Sequence, residues 1–208
     1  LALTREKMRL FKNHGLNTIQ ISLDSADRQT HDHLRGVPGC YDKVMAAASW
    51  AREFGINLCF STVLSKESTS DKSEMYKLLN LARREGAFLL ICDSGAVGGW
   101  KGKNEKMMTC EERNKTLEDL MKHPYARHHS MYNFRVKNGC PAGVEKINIT
   151  AYGEVTPCDL IHDSFGNIME ESLETVWRRI QRHPIYANKR YDCIRYLDEF
   201  KAYQESMR

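Results

Sequence analysis

The residues most able to bind metals or react in this 208-residue sequence are its seven cysteines: Cys40, Cys59, Cys92, Cys110, Cys140, Cys158 and Cys193. No two of them are closer than eighteen positions, which excludes the CxxC pairs of a zinc ribbon or a thioredoxin-like site. Thiolates bind iron–sulfur clusters and zinc, but free cysteine is also one of the most frequently buried residue types. The cysteine pattern alone therefore leaves two interpretations open, metal ligation and structural burial.

A second group of reactive side chains follows one face of the segment 17–24. In it Ile19, Ile21 and Leu23 alternate with Thr18, Gln20, Ser22 and Asp24. Because side chains on a strand alternate between its faces, one face is apolar and the other carries an amide, hydroxyls and a carboxylate. Such a strand either borders a polar ligand in a parallel barrel or belongs to an antiparallel sheet with one wet face. Asp24 lies at the C-terminal end of the strand, where barrel enzymes place their chemistry.

The remaining motifs are weaker. His123, His128 and His129 do not have the spacing of a helical metal pair such as HExxH, and we predict that they lie on the surface or in a loop. The segment Gly95–Gly99 lacks the GK[ST] ending of a phosphate-binding loop. We interpret its glycines as positions where the backbone approaches a ligand closely.

The elements that position these residues alternate between strands and helices. Predicted strands are Asn17–Asp24, Ile56–Leu64 and Ala87–Asp93. Each is preceded by a predicted helix, and these helices end at Gly15, Gly55 and Gly86. The strands begin roughly 30–40 residues apart, a spacing typical of successive βα units in a parallel sheet. This pattern predicts an α/β fold. Thr109 and Glu112 form a capping-box pattern at the start of a further helix.

The C-terminal part has a different pattern. Lys146–Thr150 and Glu154–Pro157 predict a hairpin that turns at Gly153, and Ser172–His183 predicts a helix that ends before Pro184. We therefore predict two domains, residues 1–135 and residues 136–208, the second of the small α+β class.

Composition excludes several classes of partner. The sequence is 41% hydrophobic and has a formal net charge of +4 at pH 7. It contains no apolar run near the roughly 18–20 residues that cross a bilayer and no basic block interleaved with aromatic residues, so we expect neither membrane nor nucleic acid as a partner. An odd number of cysteines without an export signal indicates a reducing, cytoplasmic compartment.

Several of these segments together resemble radical SAM enzymes with a SPASM or twitch tail. The segments that resemble the family's fourth barrel strand and its loop are Ile19–Ser25, His31-Asp32, Leu34-Arg35-Gly36 and Tyr41. Ser61-Thr62-Val63 resembles the family's fifth strand, and Leu89–Gly99 resembles its sixth strand and the loop that follows. The segments that resemble the family's tail are Cys140-Pro141-Ala142-Gly143, Gly153 with Cys158 after a four-residue spacer, Phe165–Ile168, Ser172-Leu173 and Trp177. The order and spacing of the motifs, over nearly the whole chain, carry the resemblance.

The resemblance implies a partial (β/α)6 radical SAM barrel, with about strands 4–6 present, followed by a small α+β SPASM/twitch domain with a β-hairpin. It also implies S-adenosylmethionine (SAM) as a cofactor. Ser22 would face the ribose and methionine moieties of SAM, and Arg35 would meet its carboxylate, for which a guanidinium fork is well shaped. Asp24 would bond near the ribose or hold the architecture of the site. The alternatives are a surface position for Arg35 and a strand hydroxyl bonded to its neighbours for Ser22.

For the tail, the resemblance implies an auxiliary [4Fe–4S] cluster with Cys140, Cys158 and Cys193 as ligands. A hairpin that turns at Gly153 would return Cys158 to the level of the first strand, beside Cys140, and Cys193 would close from the far side. The fourth ligand stays open between another residue, a missing cysteine and an iron that contacts substrate, and zinc is a rival metal. The dense later cysteine set of a full SPASM tail is absent, which favours one cluster of the twitch type. The other four cysteines match no ligand motif and are interpreted as core or incidental.

The activity that the resemblance implies is that of a radical SAM oxidoreductase or maturase. Such an enzyme cleaves SAM reductively to a 5′-deoxyadenosyl radical and abstracts hydrogen from a peptide or small-molecule substrate, with an electron donor such as a flavodoxin or ferredoxin. The sequence has no CxxxCxxC motif for the second [4Fe–4S] cluster, which cleaves SAM, and it resembles the family only from just before the fourth strand. We therefore interpret it as a fragment that is inactive alone. The alternatives are a non-catalytic iron–sulfur or substrate-binding module that works with a partner chain, and a plain α/β domain without metal.

Overall fold

The computed structural model describes residues 3–69, 72–95, 104–129, 140–187 and 193–206. Apart from Gly95, the described residues up to His129 form one compact unit and those from Cys140 onward form a second. The domain boundary predicted between residues 135 and 136 lies outside the described residues, as does most of the predicted Gly95–Gly99 loop, so both stay predictions. No helix among the described residues is long and apolar enough to cross a membrane.

The first unit alternates strands with helices, as the sequence predicts. Its elements are α1 (Arg5–Asn13), β1 (Thr18–Ser22), α2 (Arg28–Arg35), α3 (Cys40–Glu53), β2 (Asn57–Leu64), α4 (Lys66–Thr69), α5 (Lys72–Arg84), β3 (Phe88–Asp93), α6 (Cys110–Leu120) and β4 (Ala126–His128), with a 3₁₀ turn at Asn104–Lys106. The strands form one sheet in the order β1-β2-β3-β4, and every neighbouring pair is parallel. The predicted α/β class and parallel sheet are confirmed, and the short strand β4 is an addition that the sequence pattern did not indicate.

The one-sided polarity of β1 is also confirmed. Ile21 and Leu23 are buried in the core, whereas Thr18, Gln20 and Ser22 are exposed. The antiparallel alternative is wrong, because β1 pairs with β2 in parallel register. Within the described residues β2 is the only strand hydrogen-bonded to β1, so β1 forms an edge of the sheet there.

Local signals explain where the helices begin and end. The Asp27 side chain accepts the backbone N–H of Thr30 at the start of α2, and Gly36 ends that helix with φ of +64°, a conformation that costs glycine little. The predicted capping box at the start of α6 is present, with Thr109 and Glu112 each accepting a backbone N–H of the other.

The second unit contains the predicted hairpin and helix. Its elements are β5 (Asn148–Ile149), β6 (Val155–Thr156), α7 (Leu173–Arg182), α8 (Pro184–Ala187), a 3₁₀ turn (Ile194–Tyr196) and α9 (Asp198–Ser206). Strands β5 and β6 pair antiparallel and turn at Gly153, whose φ is +84°. The core of the second unit consists of Ala142, Val155, Ile161, Val176, Ile180, Ile185, Tyr186, Ile194 and Phe200. The hairpin prediction is confirmed, with paired strands shorter than predicted.

Candidate functional site

At the C-terminal end of β1, Asp24 is the centre of a small polar network. Its Oδ2 lies 2.7 Å from Arg35 Nε, and its Oδ1 accepts a long hydrogen bond of 3.4 Å from the Thr62 hydroxyl. Its backbone N–H donates to His31 Nδ1 at 3.1 Å. These contacts join the end of β1 to α2 and β2, so the carboxylate and the guanidinium are held at the C-terminal edge of the sheet.

The residues between His31 and Tyr41 support this network. His31 is fully buried, its ring meets that of Tyr41 edge-on at 6.0 Å, and burial lowers the pKa of the imidazole. The Asp32 carboxylate accepts the backbone N–H groups of Gly39 at 2.6 Å and Tyr41 at 2.7 Å, bonds that lower the pKa of Asp32. The motif thus fixes the turn between α2 and α3 and the helix that carries Arg35.

The predicted SAM-binding residues occupy this edge of the first unit. Asp24 and Arg35 form an ion pair in which the side chains keep 17% and 33% of their exposure, and Ser22 is exposed at the last position of β1. The structure therefore brings Asp24 and Arg35 together with Ser22 two residues away. Their contacts with SAM stay predictions.

In the second unit, the Cys140 thiol forms a hydrogen bond with the Cys193 thiol. This contact, together with burial, raises the pKa of Cys140, because two adjacent thiols cannot both ionise without a nearby cation. The backbone N–H groups of Ala142 and Ile194 also hydrogen-bond to the Cys140 sulfur. Both cysteines are half-buried.

Cys158 belongs to the same core. It packs with Cys140 against the buried residues of the second unit, and burial raises its pKa to about 11. The Leu160 N–H points at its sulfur, while its thiol donates to Asp159 Oδ1 at 3.1 Å. Burial, and then the charges of neighbours that include Cys140 and Cys158, raise the pKa of Tyr186. Cys140, Cys158 and Tyr186 thus belong to the same core.

The chemistry of this donor set fits an iron–sulfur cluster. Cys140 and Cys158 pack against one core, Cys193 contacts Cys140, and the backbone N–H groups that face Cys140 and Cys158 stabilise thiolates and cluster sulfurs. Asp163 Oδ2, His183 Nδ1 and Tyr186 Oη are buried without a hydrogen-bond partner in the described part of the chain. These atoms are further possible donors, so the fourth ligand remains open.

A third cluster surrounds Asp93 at the end of β3, and sequence reasoning missed it. Arg113 donates two hydrogen bonds to the carboxylate, from Nε to Oδ1 at 2.7 Å and from Nη2 to Oδ2 at 3.0 Å. His128 Nε2 lies 3.2 Å from Oδ1, and His129 Nε2 lies 3.5 Å from Oδ2. Burial opposes ionisation of Asp93, but the hydrogen bonds from His128 and Arg113 outweigh it and hold the pKa well below its usual value.

The surface or loop position predicted for the histidines is wrong for His128, which is 2% exposed on strand β4. The signal that could have revealed the cluster is the position of Asp93 at the end of a strand. Asp93 ends its strand just as Asp24 follows β1, and an acidic residue in that position needs a partner if its strand is buried.

Comparisons with known proteins match both units. The model of the radical SAM superfamily matches residues 1–79, and that of the SPASM iron–sulfur cluster-binding domain matches residues 140–202. A PqqA peptide cyclase of Rhizobium meliloti (strain 1021) is 25% identical over 195 residues, which cover 85% of this chain and 51% of that protein. An AdoMet-dependent heme synthase of Nitratidesulfovibrio vulgaris is 24% identical over 210 residues, 85% of this chain and 55% of that protein. The chain thus spans about half the length of these curated relatives.

Solved structures agree with the fold. Native anSMEcpe with bound AdoMet aligns with a TM-score of 0.58 and 13% identity, over 92% of this chain and 57% of that one. Native anSMEcpe with bound AdoMet and the Kp18Cys peptide aligns with a TM-score of 0.54 and 14% identity, over 91% and 58% of the two chains. At these identities the likeness shows the fold alone, a partial barrel sheet followed by a small second unit.

Proposed function

Because this chain belongs to the radical SAM superfamily and carries the SPASM iron–sulfur cluster-binding domain, we propose that it is part of a radical SAM oxidoreductase or maturase. In this proposal the first unit supplies one wall of the SAM site and the second holds an auxiliary [4Fe–4S] cluster. The observation that carries the proposal is the contact between the Cys140 and Cys193 thiols, in a core that also contains Cys158.

The proposed cluster ligands are Cys140, Cys158 and Cys193. When bound, the cluster would supply one-electron transfer or an open iron that contacts substrate. The chain itself orients the sulfurs, since the N–H groups of Ala142 and Ile194 favour the Cys140 thiolate. Tyr186 is buried in the core against which Cys140 and Cys158 pack.

The proposed SAM contacts are made by Ser22, Asp24 and Arg35. Asp24 holds Arg35 as an ion pair at the C-terminal edge of the sheet, and the guanidinium, whose side chain keeps a third of its exposure, has the shape to bind a carboxylate. Ser22 is exposed at the end of β1, and in this proposal its hydroxyl donates to the ribose or methionine part of the ligand.

The substrate class proposed for the parent enzyme is a peptide or a small molecule. A peptide is supported by relatives described as PqqA peptide cyclases, and a small molecule by those described as heme synthases. The proposed electron donor is a flavodoxin or ferredoxin, and the proposed compartment is the cytoplasm, which suits an iron–sulfur tail and seven cysteines that form no disulfide bond.

These 208 residues contain no CxxxCxxC motif, so the cluster that cleaves SAM would be held by thiolates outside them. We therefore expect the purified chain to form no 5′-deoxyadenosine above background with SAM and a strong reductant. Formation of 5′-deoxyadenosine would contradict this part of the proposal.

The main test is iron and acid-labile sulfide per chain after anaerobic reconstitution. We expect about four irons in the wild type, and a loss of most of them in Cys140→Ala, Cys158→Ala and Cys193→Ala. Cys40→Ala is the matched control, because it removes a half-buried cysteine from the first unit and should keep the iron.

Thermal melts followed by circular dichroism verify that each variant is folded. Zinc in place of iron, no metal in a folded wild type, or equal iron in all variants would each overturn the auxiliary cluster.

A further inference from the structure

Helix α2 contacts Asp24 at two different points, and both contacts come from one face of the helix. His31 Nδ1 accepts the backbone N–H of Asp24 at 3.1 Å, and Arg35 Nε lies 2.7 Å from the Asp24 carboxylate. Residues four positions apart on an α-helix lie on the same face. His31 and Arg35 therefore hold the backbone and the side chain of the same residue from one surface of α2.

The hydrogen bond from Asp24 fixes the chemical state of the His31 ring. A backbone N–H can only donate, so Nδ1 is unprotonated, and the neutral imidazole carries its hydrogen on Nε2. Burial lowers the pKa of His31, and the charge of Arg35 acts in the same direction, against the charges of Asp24 and Asp32. The ring is therefore neutral at pH 7, and Nδ1 stays available as an acceptor.

Packing alone does not explain an imidazole at this position. His31 is fully buried, and its Nε2 has no hydrogen-bond partner within the part of the chain that the structure describes. A buried N–H without an acceptor costs stability, whereas an apolar side chain of similar size would fill the space without that cost. What the imidazole offers and an apolar side chain lacks is thus the acceptor at Nδ1.

The path of the backbone shows what this acceptor controls. The Leu23 N–H donates to the Ser61 carbonyl at 2.8 Å, which continues the pairing with β2 by one residue beyond β1. At Asp24 the next backbone N–H bonds to α2 instead. His31 thus sets the position of Asp24 relative to α2, and with it the place where the carboxylate meets Arg35.

We propose that His31 is a positioning residue of the SAM site: through Nδ1 it fixes the backbone of Asp24, and Asp24 in turn holds the Arg35 guanidinium where the carboxylate of SAM binds. This inference rests on the function proposed above for the Asp24–Arg35 pair. It adds His31 as a residue that acts on the ligand only through Asp24.

The test compares His31→Leu with His31→Asn, because leucine and asparagine have the same branched skeleton. The amide oxygen of asparagine takes the place of Nδ1 beside the γ-carbon, so this variant keeps an acceptor that leucine lacks. Calorimetric titration of the full chain with SAM should show binding about tenfold weaker in His31→Leu, and affinity within about threefold of the wild type in His31→Asn. A role in packing alone predicts the reverse order. His33→Leu, which alters an exposed histidine on the same helix, should leave the affinity unchanged.

Nuclear magnetic resonance on the same proteins separates this inference from the proposed function, because it needs no SAM. In the wild type, His31 should be protonated at Nε2 and not at Nδ1. The Asp24 amide should exchange its hydrogen slowly in the wild type and at least tenfold faster in His31→Leu. Thermal melts followed by circular dichroism verify that each variant is folded.

Two kinds of failure can be told apart. A protonated Nδ1, an Asp24 amide equally protected in the wild type and in folded His31→Leu, or equal SAM affinity in these two proteins would overturn the positioning role of His31. A wild type that shows the expected resonances but binds no SAM would instead contradict the proposed function of the Asp24–Arg35 pair, and SAM would be excluded as its ligand.

Discussion

Two carboxylates stand at the ends of two strands of the same parallel sheet, and each is paired with an arginine from the α-helical region that follows its strand. Asp24 pairs with Arg35 of α2, and the side chains keep 17% and 33% of their exposure. Asp93 pairs with Arg113 of α6, and the side chains keep only 1% and 8%. The same pair of residue types therefore stands in a solvated setting at one strand and in a buried setting at the other.

This difference in burial separates what the two pairs can do. An exposed ion pair contributes little to stability, about 0–1 kcal/mol, and its arginine stays accessible to a ligand. A buried pair is different, because loss of one partner leaves an uncompensated charge in the protein interior. The Asp24 pair is thus suited to bind a ligand, and the Asp93 pair is suited to hold a fixed structure.

The largest expected effect follows from removal of the buried arginine. Arg113→Met should lower the free energy of unfolding by about 3–5 kcal/mol, because Asp93 keeps its charge with only the imidazoles as partners. Arg35→Met should lower it by about 1 kcal/mol or less. Urea denaturation of both variants measures the difference, and equal losses would contradict the comparison.

The double variant Asp93→Asn with Arg113→Met sharpens the same test. It removes both buried charges together, so it should recover most of the stability that Arg113→Met loses. A double variant as unstable as Arg113→Met would mean that packing, rather than charge, accounts for the loss.

The next effect concerns SAM affinity at the solvated pair. Arg35→Ala should weaken SAM binding by roughly 10–100-fold, since a hydrogen bond to a charged group contributes about 1.5–3 kcal/mol. Arg28→Ala is the control, because that arginine lies on the same helix and pairs with Asp42 on the surface. Calorimetry on the chain, or on the longer protein that contains it, checks the affinity; an unchanged value for Arg35→Ala would remove Arg35 from the site.

The acid dependence of stability gives a third, smaller effect. The pKa of Asp93 in the folded protein lies well below the usual 3.8, so below that value the unfolded state binds a proton that the folded state does not. The stability that Asp93 contributes is therefore complete above 3.8 and falls by about 1.4 kcal/mol per pH unit as the pH drops towards the folded pKa. The double variant should lose this slope, and urea midpoints measured between about pH 2 and 6 test it.

The smallest effect concerns the long hydrogen bond from Thr62 to Asp24. Thr62→Val keeps the shape of a buried side chain and removes only a 3.4 Å contact, so we expect a loss of about 0.5–1.5 kcal/mol. A loss as large as that of Arg113→Met would show that the Asp24 network is as rigid as the Asp93 network.

The two networks also differ in how far the sequence predicts them. Alternation along 17–24 predicts the polar face of β1, and the resemblance to radical SAM enzymes assigns Arg35 to the same site as Asp24. The Asp93 network joins β3, α6 and β4, with partners twenty and thirty-five positions away. Local periodicity contains no information about such partners, and a three-residue strand with an arginine at its centre shows no recognisable period.

In the second unit the hairpin, its glycine turn and the helix α7 follow from turn and capping residues. The cysteine ligand set came only from the resemblance, because nothing in the spacing of Cys193 connects it with Cys140. The structure supplies that connection through the contact between the two thiols, which depends on the packing of the whole unit.

The loop that carries Cys140 is wedged against the corner between α7 and α8. A Cβ on Gly143, whose φ is +72°, would lie 2.6 Å from Ile180 Cγ2, and the Gly143 carbonyl accepts the indole N–H of Trp177 at 3.2 Å. The position of the Cys140 loop therefore depends on how α7 and α8 pack. We expect any change that loosens this corner to lower the affinity of the tail for its metal, even where every cysteine is kept.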